Sequence, residues 1–113
     1  MSSDDQDDLI FKALAHSVRR RLLDLLKIEP RTTGMLCDLT PDLDRCTVMQ
    51  HLKVLEQAGL LISEKRGRER WHHLDALPIQ AIHERFIGPY AAYAAAMLSR
   101  LDKQVELAGK IEA

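Results

Sequence analysis

The stretch of sequence that decides the fold covers residues 45–59 and reads RCTVMQHLKVLEQAG. Asp44, just before it, is a favourable helix N-cap, and the closing Gly59 stands where a glycine commonly ends a helix. The sequence therefore predicts a helix over about residues 45–58. Its apolar residues recur with spacings of four and three, which predicts one buried helix face: Val48, Leu52 and Leu55.

The sequence that follows this helix changes to a strand pattern. LLISEK (60–65) and RWHHLD (70–75) predict two β-strands. The intervening RGRE predicts a turn centred on Gly67, so we expect a β-hairpin of the longer-loop kind. Trp71, the only tryptophan, is expected to anchor this hairpin on the domain.

Three helices are predicted before residues 45–59, and a further helical region is predicted after the hairpin. The first helix covers about residues 5–15, the second begins at Ser17, and a short third one ends near Leu39. Pro78 suits the first turn of a later helix, which Gly88-Pro89 interrupts or divides. The fold class is mostly α with a small β-hairpin, in the order α-α-α-α-β-β-α within a single domain over 1–113. This order is that of a winged helix-turn-helix.

The distribution of charge predicts a polyanionic partner. The chain carries 16 Lys and Arg against 17 Asp and Glu, a net charge of −1, but four of the acids lie in residues 1–8. Attraction to phosphates depends on the local field at the contact face, not on the whole-chain sum. Residues 45–70 hold three acids against six basic side chains: Arg45, Lys53, Lys65, Arg66, Arg68 and Arg70.

The outer face of the fourth helix carries side chains suited to reading DNA, because such a helix enters the major groove with its N-terminal residues. Gln50 can pair with adenine, and Arg45 with guanine. Thr47 and Met49 offer apolar contact to a thymine methyl group, while Lys53 is better placed for a phosphate. The predicted DNA-binding residues of this helix are Arg45, Cys46, Thr47, Met49, Gln50 and Lys53.

The tip of the hairpin is a second cationic element. Arg66, Arg68 and Arg70 cluster around Gly67. A thin hairpin with such a tip can reach a minor groove or its flanking phosphates, where the negative potential is enhanced. We therefore predict that these three arginines also bind DNA.

The chain resembles the ArsR/SmtB family of bacterial repressors over about residues 9–75. The resemblance rests on FKALAHSVRRRLL (11–23), DRCTVMQHLKVLEQAGL (44–60) and GRER (67–70). It implies a winged-helix homodimer that binds an inverted-repeat operator in double-stranded DNA and represses transcription. It also implies that four positions face the DNA: Arg45, Cys46, Met49 and Gln50.

Many members of this family sense metals, but this chain departs from both family sites. One site uses Cys-x-Cys-Asp-Leu in the third helix, where this chain reads MLCDL (35–39) and keeps only the second cysteine. The other uses Asp-x-His and His-x-x-Glu on the last helix, where His83 is followed by Phe86. His72 and His73 are adjacent in a strand and point to opposite faces. The resemblance is therefore to a non-metal-sensing subgroup, without metal or cofactor, and the sequence names no effector.

The two ends of the chain are predicted to form the dimer, through helices within residues 1–15 and 78–108. The last helix carries an apolar stripe spaced four, three, four and four, more than a monomer needs to cover. Two-fold symmetry then places the fourth helix, which is the predicted recognition helix, about 34 Å from its copy in the second protomer, a distance of one turn of DNA. The predicted interface residues are Leu9, Ile10, Leu14, Tyr90, Ala94, Met97, Leu101 and Val105.

Other classes of protein fit the sequence less well. No Gly-x-Ser-x-Gly, phosphate-loop or His-Glu-x-x-His motif indicates an enzyme. The absence of an apolar run of about 18 residues predicts no membrane span, and the acidic start and two cysteines favour a cytoplasmic location. Two alternatives stay open. One is a metal- or thiol-responsive sensor, with Cys46 at the positive end of its helix. The other is a winged-helix protein-interaction module that does not bind DNA.

Overall fold

The structure is a computed structural model that describes residues 2–112, with side chains described as far as residue 109. It separates between Ile79 and Gln80 into two compact units. The elements are α1 (Ser3–Leu14), α2 (Ser17–Ile28), β1 (Arg31–Thr32), α3 (Thr33–Leu39), α4 (Arg45–Gln57), β2 (Leu61–Arg66), β3 (Glu69–Leu74), α5 (Leu77–Ile82), a π-helical turn (His83–Ile87) and α6 (Gly88–Glu112).

Helix α4 is fixed at both ends by local hydrogen bonds. The Asp44 carboxylate accepts from the Thr47 backbone N–H at 2.7 Å, which satisfies a free donor of the first turn. At the other end Gly59 has a φ of +77°, and the Leu60 N–H donates to the Leu55 carbonyl at 3.0 Å. A second bond from the glycine N–H completes a Schellman motif. Both predicted caps are confirmed.

Helices α2 and α3 start where the sequence predicts, and α1 starts two residues before the predicted residue 5. Thr32 caps α3, since its hydroxyl accepts from the Met35 N–H at 3.1 Å. Helix α2 begins at Ser17, as predicted, and its N-cap is His16, whose Nδ1 accepts from the Val18 N–H at 3.1 Å. An imidazole nitrogen accepts a hydrogen bond only while it is unprotonated, so this cap depends on the charge state of the ring.

The hydrophobic core of the first unit is built from the inward faces of α1 to α4 and the start of β2. The three apolar residues that predicted the buried face of α4 are at most 3% exposed, as expected. Burial of each such leucine contributes about 1.5–3 kcal/mol relative to exposure. The buried apolar residues of this unit are Ile10, Ala13, Leu22, Leu23, Leu26, Leu36, Val48, Leu52, Leu55, Ala58, Leu60 and Leu61.

A three-stranded antiparallel sheet in the order β1-β3-β2 covers one end of this core. The hairpin of β2 and β3 is confirmed, but its loop is shorter than predicted, because Arg66 pairs with Glu69 and only two residues connect them. Gly67 at the first loop position has a φ of +62°, which is the pattern of a type II′ turn. Strand β1, which pairs Thr32 with Trp71, is too short to leave a pattern in the sequence.

The second unit consists of a helical segment with one irregular turn. The Gly88 N–H donates to the His83 carbonyl, five residues back, so the turn widens from α to π. Pro89 has no N–H to donate, and its ring would clash with the carbonyl four residues earlier in a regular helix. The predicted interruption is thus a π-helical turn through which the helix continues. No helix within residues 2–112 is long and apolar enough to cross a membrane.

Candidate DNA-binding surface

The side chains of α4 that were predicted to read DNA lie on its accessible face. Thr47 is half-buried, and the buried face opposite fixes the rotation of the helix about its axis. The structure therefore places the predicted residues on one side of one helix, while their contact with DNA stays a prediction. The exposed members are Arg45, Cys46, Met49, Gln50 and Lys53.

A groove joins this face of α4 to the hairpin, which we call the wing. It consists of two neighbouring cavities of about 200 and 390 Å³, which share Thr33, Met49 and Arg70 in their walls. Arg45 and Arg68 line the smaller cavity, so the start of α4 and the tip of the wing border the same space. The structure thus brings together two cationic elements that are more than 20 residues apart in sequence.

The arginines of the wing differ in how far they are engaged by other residues. Arg66 pairs with Glu64, and its guanidinium lies 5.6 Å from the centre of the Trp71 ring. Arg70 binds Glu56 of α4 at 3.0 Å, which ties the wing to the helix. Within the described part of the chain, no ion pair or hydrogen bond engages the side chain of Arg68.

His72 is a buried histidine whose structural role the sequence did not reveal. It is 2% exposed, and both ring nitrogens form hydrogen bonds of 2.8 Å, with the hydroxyls of Thr33 and Ser63. Burial lowers the pKa of His72 below its ordinary value. The neutral ring therefore links the sheet to the start of α3. His73 faces the other side of the strand and binds Glu64, which confirms the opposite orientation of the two rings.

A second polar cluster, also missed from the sequence, lies where α1, α2 and α4 meet. Arg19 donates to the carbonyls of Lys12 and Ala13 at 2.8 and 2.9 Å and to His51 Nδ1 at 3.1 Å. The rings of His16 and His51 lie 4.5 Å apart, centre to centre. These contacts join residues 32 and 35 positions apart, Arg19 with His51 and His16 with His51, so local sequence patterns carry no sign of them.

Both cysteines are free thiols; Cys37 is half-buried and Cys46 is exposed. Across residues 2–112, no three His, Cys, Asp or Glu side chains are grouped so that they could hold a metal ion.

The residues predicted for a dimer interface fall into two groups. Leu9 and Leu14 of α1 are half-buried, but Ile10 is only 3% exposed and packs in the core of its own unit. The inclusion of Ile10 in an interface is therefore corrected, because no second chain is needed to cover it. The residues of α6 are all exposed: Tyr90, Ala94, Met97, Leu101 and Val105.

The fold and this surface define the class of the protein: a winged helix-turn-helix of the kind that binds DNA. The sequence profile of a family described as a helix-turn-helix domain matches residues 14–64. The uncharacterized HTH-type transcriptional regulator YuzN of Bacillus subtilis is 36% identical over 69 residues, 56% of this chain and 75% of YuzN.

Solved structures agree with this class. A crystal structure of an ArsR family transcriptional regulator matches with a TM-score of 0.72 and 27% identity, over 82% of this chain and 95% of that one. The homodimeric winged helix-turn-helix DNA-binding domain Mb0332 of Mycobacterium bovis matches with a TM-score of 0.58 and 27% identity, over 62% of this chain and 64% of that one. The chain belongs to the ArsR family of winged helix-turn-helix transcriptional regulators.

Proposed function

We propose that this DNA-binding regulator is a homodimeric repressor that binds an inverted-repeat operator. In this proposal the start of α4 reads bases in the major groove, and the wing holds the adjacent backbone or minor groove. The observation that carries the proposal is the shared groove, in which Arg45 of α4 and the unengaged Arg68 of the wing face the same space. A duplex backbone in that space would meet cations from both elements at once.

The roles of the individual side chains differ within this surface. Gln50 is exposed on α4 and can form two hydrogen bonds with an adenine edge, so we assign it to base reading. Arg68, at the tip of the wing, is assigned to phosphate binding without base preference. Arg66 and Arg70 already bind carboxylates, which offset part of their positive charge. Each therefore contributes less to DNA binding than Arg68 does.

The dimer is supported by the exposed apolar side of α6. Met97, Leu101 and Val105 are 44, 52 and 70% exposed. An apolar surface of this length is typical of an interface, and the similar Mb0332 domain is a homodimer. Two recognition helices related by a two-fold axis would contact successive turns of the major groove, which requires an operator with the same symmetry.

The test is a selection of bound duplexes from a random DNA library, followed by binding measurements on variants. We expect a palindromic motif to be enriched. Gln50→Ala should cost about 1–3 kcal/mol at one base position and relax the preference there. Gln57→Ala is the matched control, because it removes the same side chain at the far end of α4.

The wing is tested with the same selected duplex. Arg68→Ala should weaken binding to all sequences alike and lower the slope of log K against log salt by about one for each protomer.

Two outcomes would contradict the proposal. If the selection enriched no motif, sequence-specific repression would be contradicted. If Gln50→Ala and Arg68→Ala gave the same pattern of losses, the division between base reading and phosphate binding would be wrong.

A further inference from the structure

Besides the Arg70–Glu56 pair that joins it to the wing, the recognition helix α4 is held on α1 and α2 by three polar ties. Gln6 of α1 donates to the Ala58 carbonyl at the end of α4, at 3.1 Å. Arg21 of α2 binds Asp42, in the turn before α4, through two hydrogen bonds of 2.9 and 3.0 Å. The third tie, from Arg19 to His51, is attached to the middle of α4 directly beside Gln50. Of the three, only this tie depends on a group that titrates near neutral pH.

The hydrogen bonds of this cluster determine the protonation state that it requires. A guanidinium can only donate, so His51 Nδ1 must be an unprotonated acceptor. His16 Nδ1 accepts from the backbone N–H that it caps, so it too must be unprotonated. Both neutral rings therefore carry their proton on Nε2. A proton added at either Nδ1 would face an N–H donor and break the bond.

The charges around His51 also oppose protonation. The elements packed against α4 are α1, α2, α3 and β2, with β3 beyond. The titratable and charged groups among them that act on the ring are His16 and Arg19, and both carry positive charge when protonated. Burial first, and then these two charges, lower the pKa of His51 below its ordinary value. Acidification therefore places up to three positive charges in contact at this junction.

We propose that Arg19, His16 and His51 form a positioning cluster that holds the recognition helix for DNA only while both imidazoles are neutral, so that DNA affinity falls on acidification. The inference rests on the proposed function, because it concerns the same helix. The side chains of the cluster need no contact with DNA. They act through α4, whose next outward-facing side chain is Gln50.

The direction of the pH effect separates this proposal from simple electrostatics. Protonation of surface histidines adds positive charge and raises affinity for phosphates as pH falls. The positioning cluster predicts the opposite. DNA binding that requires a neutral His51 is strongest above the pKa of that ring in the free protein, and it weakens as the pH falls below that pKa.

The experiment measures Kd by fluorescence anisotropy at constant ionic strength. The probe is a selected duplex of about 30 base pairs, long enough for two half-sites one turn apart. For the full chain we expect Kd to rise between about pH 7.5 and pH 5.5, by no more than the roughly tenfold change that one proton with an ordinary histidine pKa would give. His51→Gln, whose amide oxygen can still accept from Arg19, should flatten this rise. His16→Asn, which keeps a helix N-cap, should reduce it.

The matched control is His73→Gln, which removes a half-buried histidine of the same unit that binds Glu64 outside the cluster, and it should leave the rise unchanged. Circular dichroism at each pH separates loss of fold from loss of binding. An affinity that stays constant or rises on acidification would overturn the inference, as would an equal loss in His51→Gln. Absence of DNA binding at every pH would instead contradict the proposed function, so the two failures are distinguishable.

Discussion

His72 shows how a polar side chain can be buried with both of its ring nitrogens hydrogen-bonded. A neutral imidazole has one donor and one acceptor, and a hydroxyl can serve either nitrogen. The two hydroxyls at 2.8 Å therefore satisfy both sides of the ring. Because burial lowers its pKa, the ring is neutral in the folded state above the ordinary histidine range.

Removal of one of these hydroxyls tests the role of His72. We expect Thr33→Val to lower the free energy of unfolding by about 1–3 kcal/mol, since it leaves a buried ring nitrogen without a partner. Thr33→Ser, which keeps the hydroxyl, is the control. Urea denaturation at neutral pH measures both variants, and equal stability of the valine and serine variants would contradict this account.

The charged pair of Arg21 and Asp42 differs from the buried His72, because both of its side chains lie on the surface. The Arg21 guanidinium, through its hydrogen bonds, holds the pKa of the Asp42 carboxyl below its usual range. Such a pair loses its attraction only when the carboxyl is protonated in acid. The tie before α4 is therefore constant through the range in which the imidazole cluster changes its charge.

At the scale of elements, the wing depends on its two-residue turn. Gly67 has a φ of +62°, a left-handed conformation that residues with a Cβ rarely adopt. A Cβ at this position would meet no other atom within 4 Å, so there is room for a side chain. The conformation of the backbone, and not a lack of space, therefore favours glycine in the turn.

The contribution of this turn can be measured with two glycine substitutions. Gly67→Ala should destabilise the unit by about 1–2 kcal/mol, the cost of a left-handed conformation for a residue with a Cβ. Gly34→Ala is the matched control, because α3 has helical backbone there and the new methyl meets nothing closer than 3.8 Å. It should stabilise by up to about 1 kcal/mol. Thermal unfolding that moved in the same direction for both would refute the assignment.

The elements differ in how well the sequence predicts them. Helix α4 has a cap at each end and three apolar residues spaced four and three, so its limits are predicted to within one residue. Strand β1 is two residues long and pairs with β3, which is distant in sequence. It is therefore too short to show the alternation of apolar and polar residues that predicts a strand. The sequence predicts too long a loop for the wing because charged residues are common both at strand ends and in turns. Only the pairing register shows that Arg66 and Glu69 belong to the strands and not to the loop.

At the scale of the whole molecule, the proposed dimer can be tested through α6. Leu101→Glu places a charge in the exposed apolar stripe, so we expect a monomer in sedimentation equilibrium. DNA affinity should fall by at least about 100-fold, because the two half-sites are then bound independently. Gln104→Glu adds the same charge at a polar position of α6 and should remain dimeric. A dimeric Leu101→Glu variant would exclude this stripe as the interface.

The candidate site as a whole could be predicted only in part. The exposed face of α4 follows from its helical period, and the cationic wing follows from four nearby basic residues. The groove between them, the Arg70–Glu56 tie and the cluster around Arg19 depend on contacts between distant segments. Such contacts arise from packing, which a single sequence does not encode in any local pattern.

The order of the strands has a consequence for synthesis of the chain. β3 is the last strand to be made, yet it lies at the centre of the sheet and pairs with both others. While a ribosome is still adding residue 68, β1 and β2 have no partner, and His72 is not yet present to join α3 to the sheet. The helix-turn-helix is therefore made before β3, the strand that completes the sheet. A product that stops before Glu69 lacks β3, so it has neither a paired wing nor a central strand.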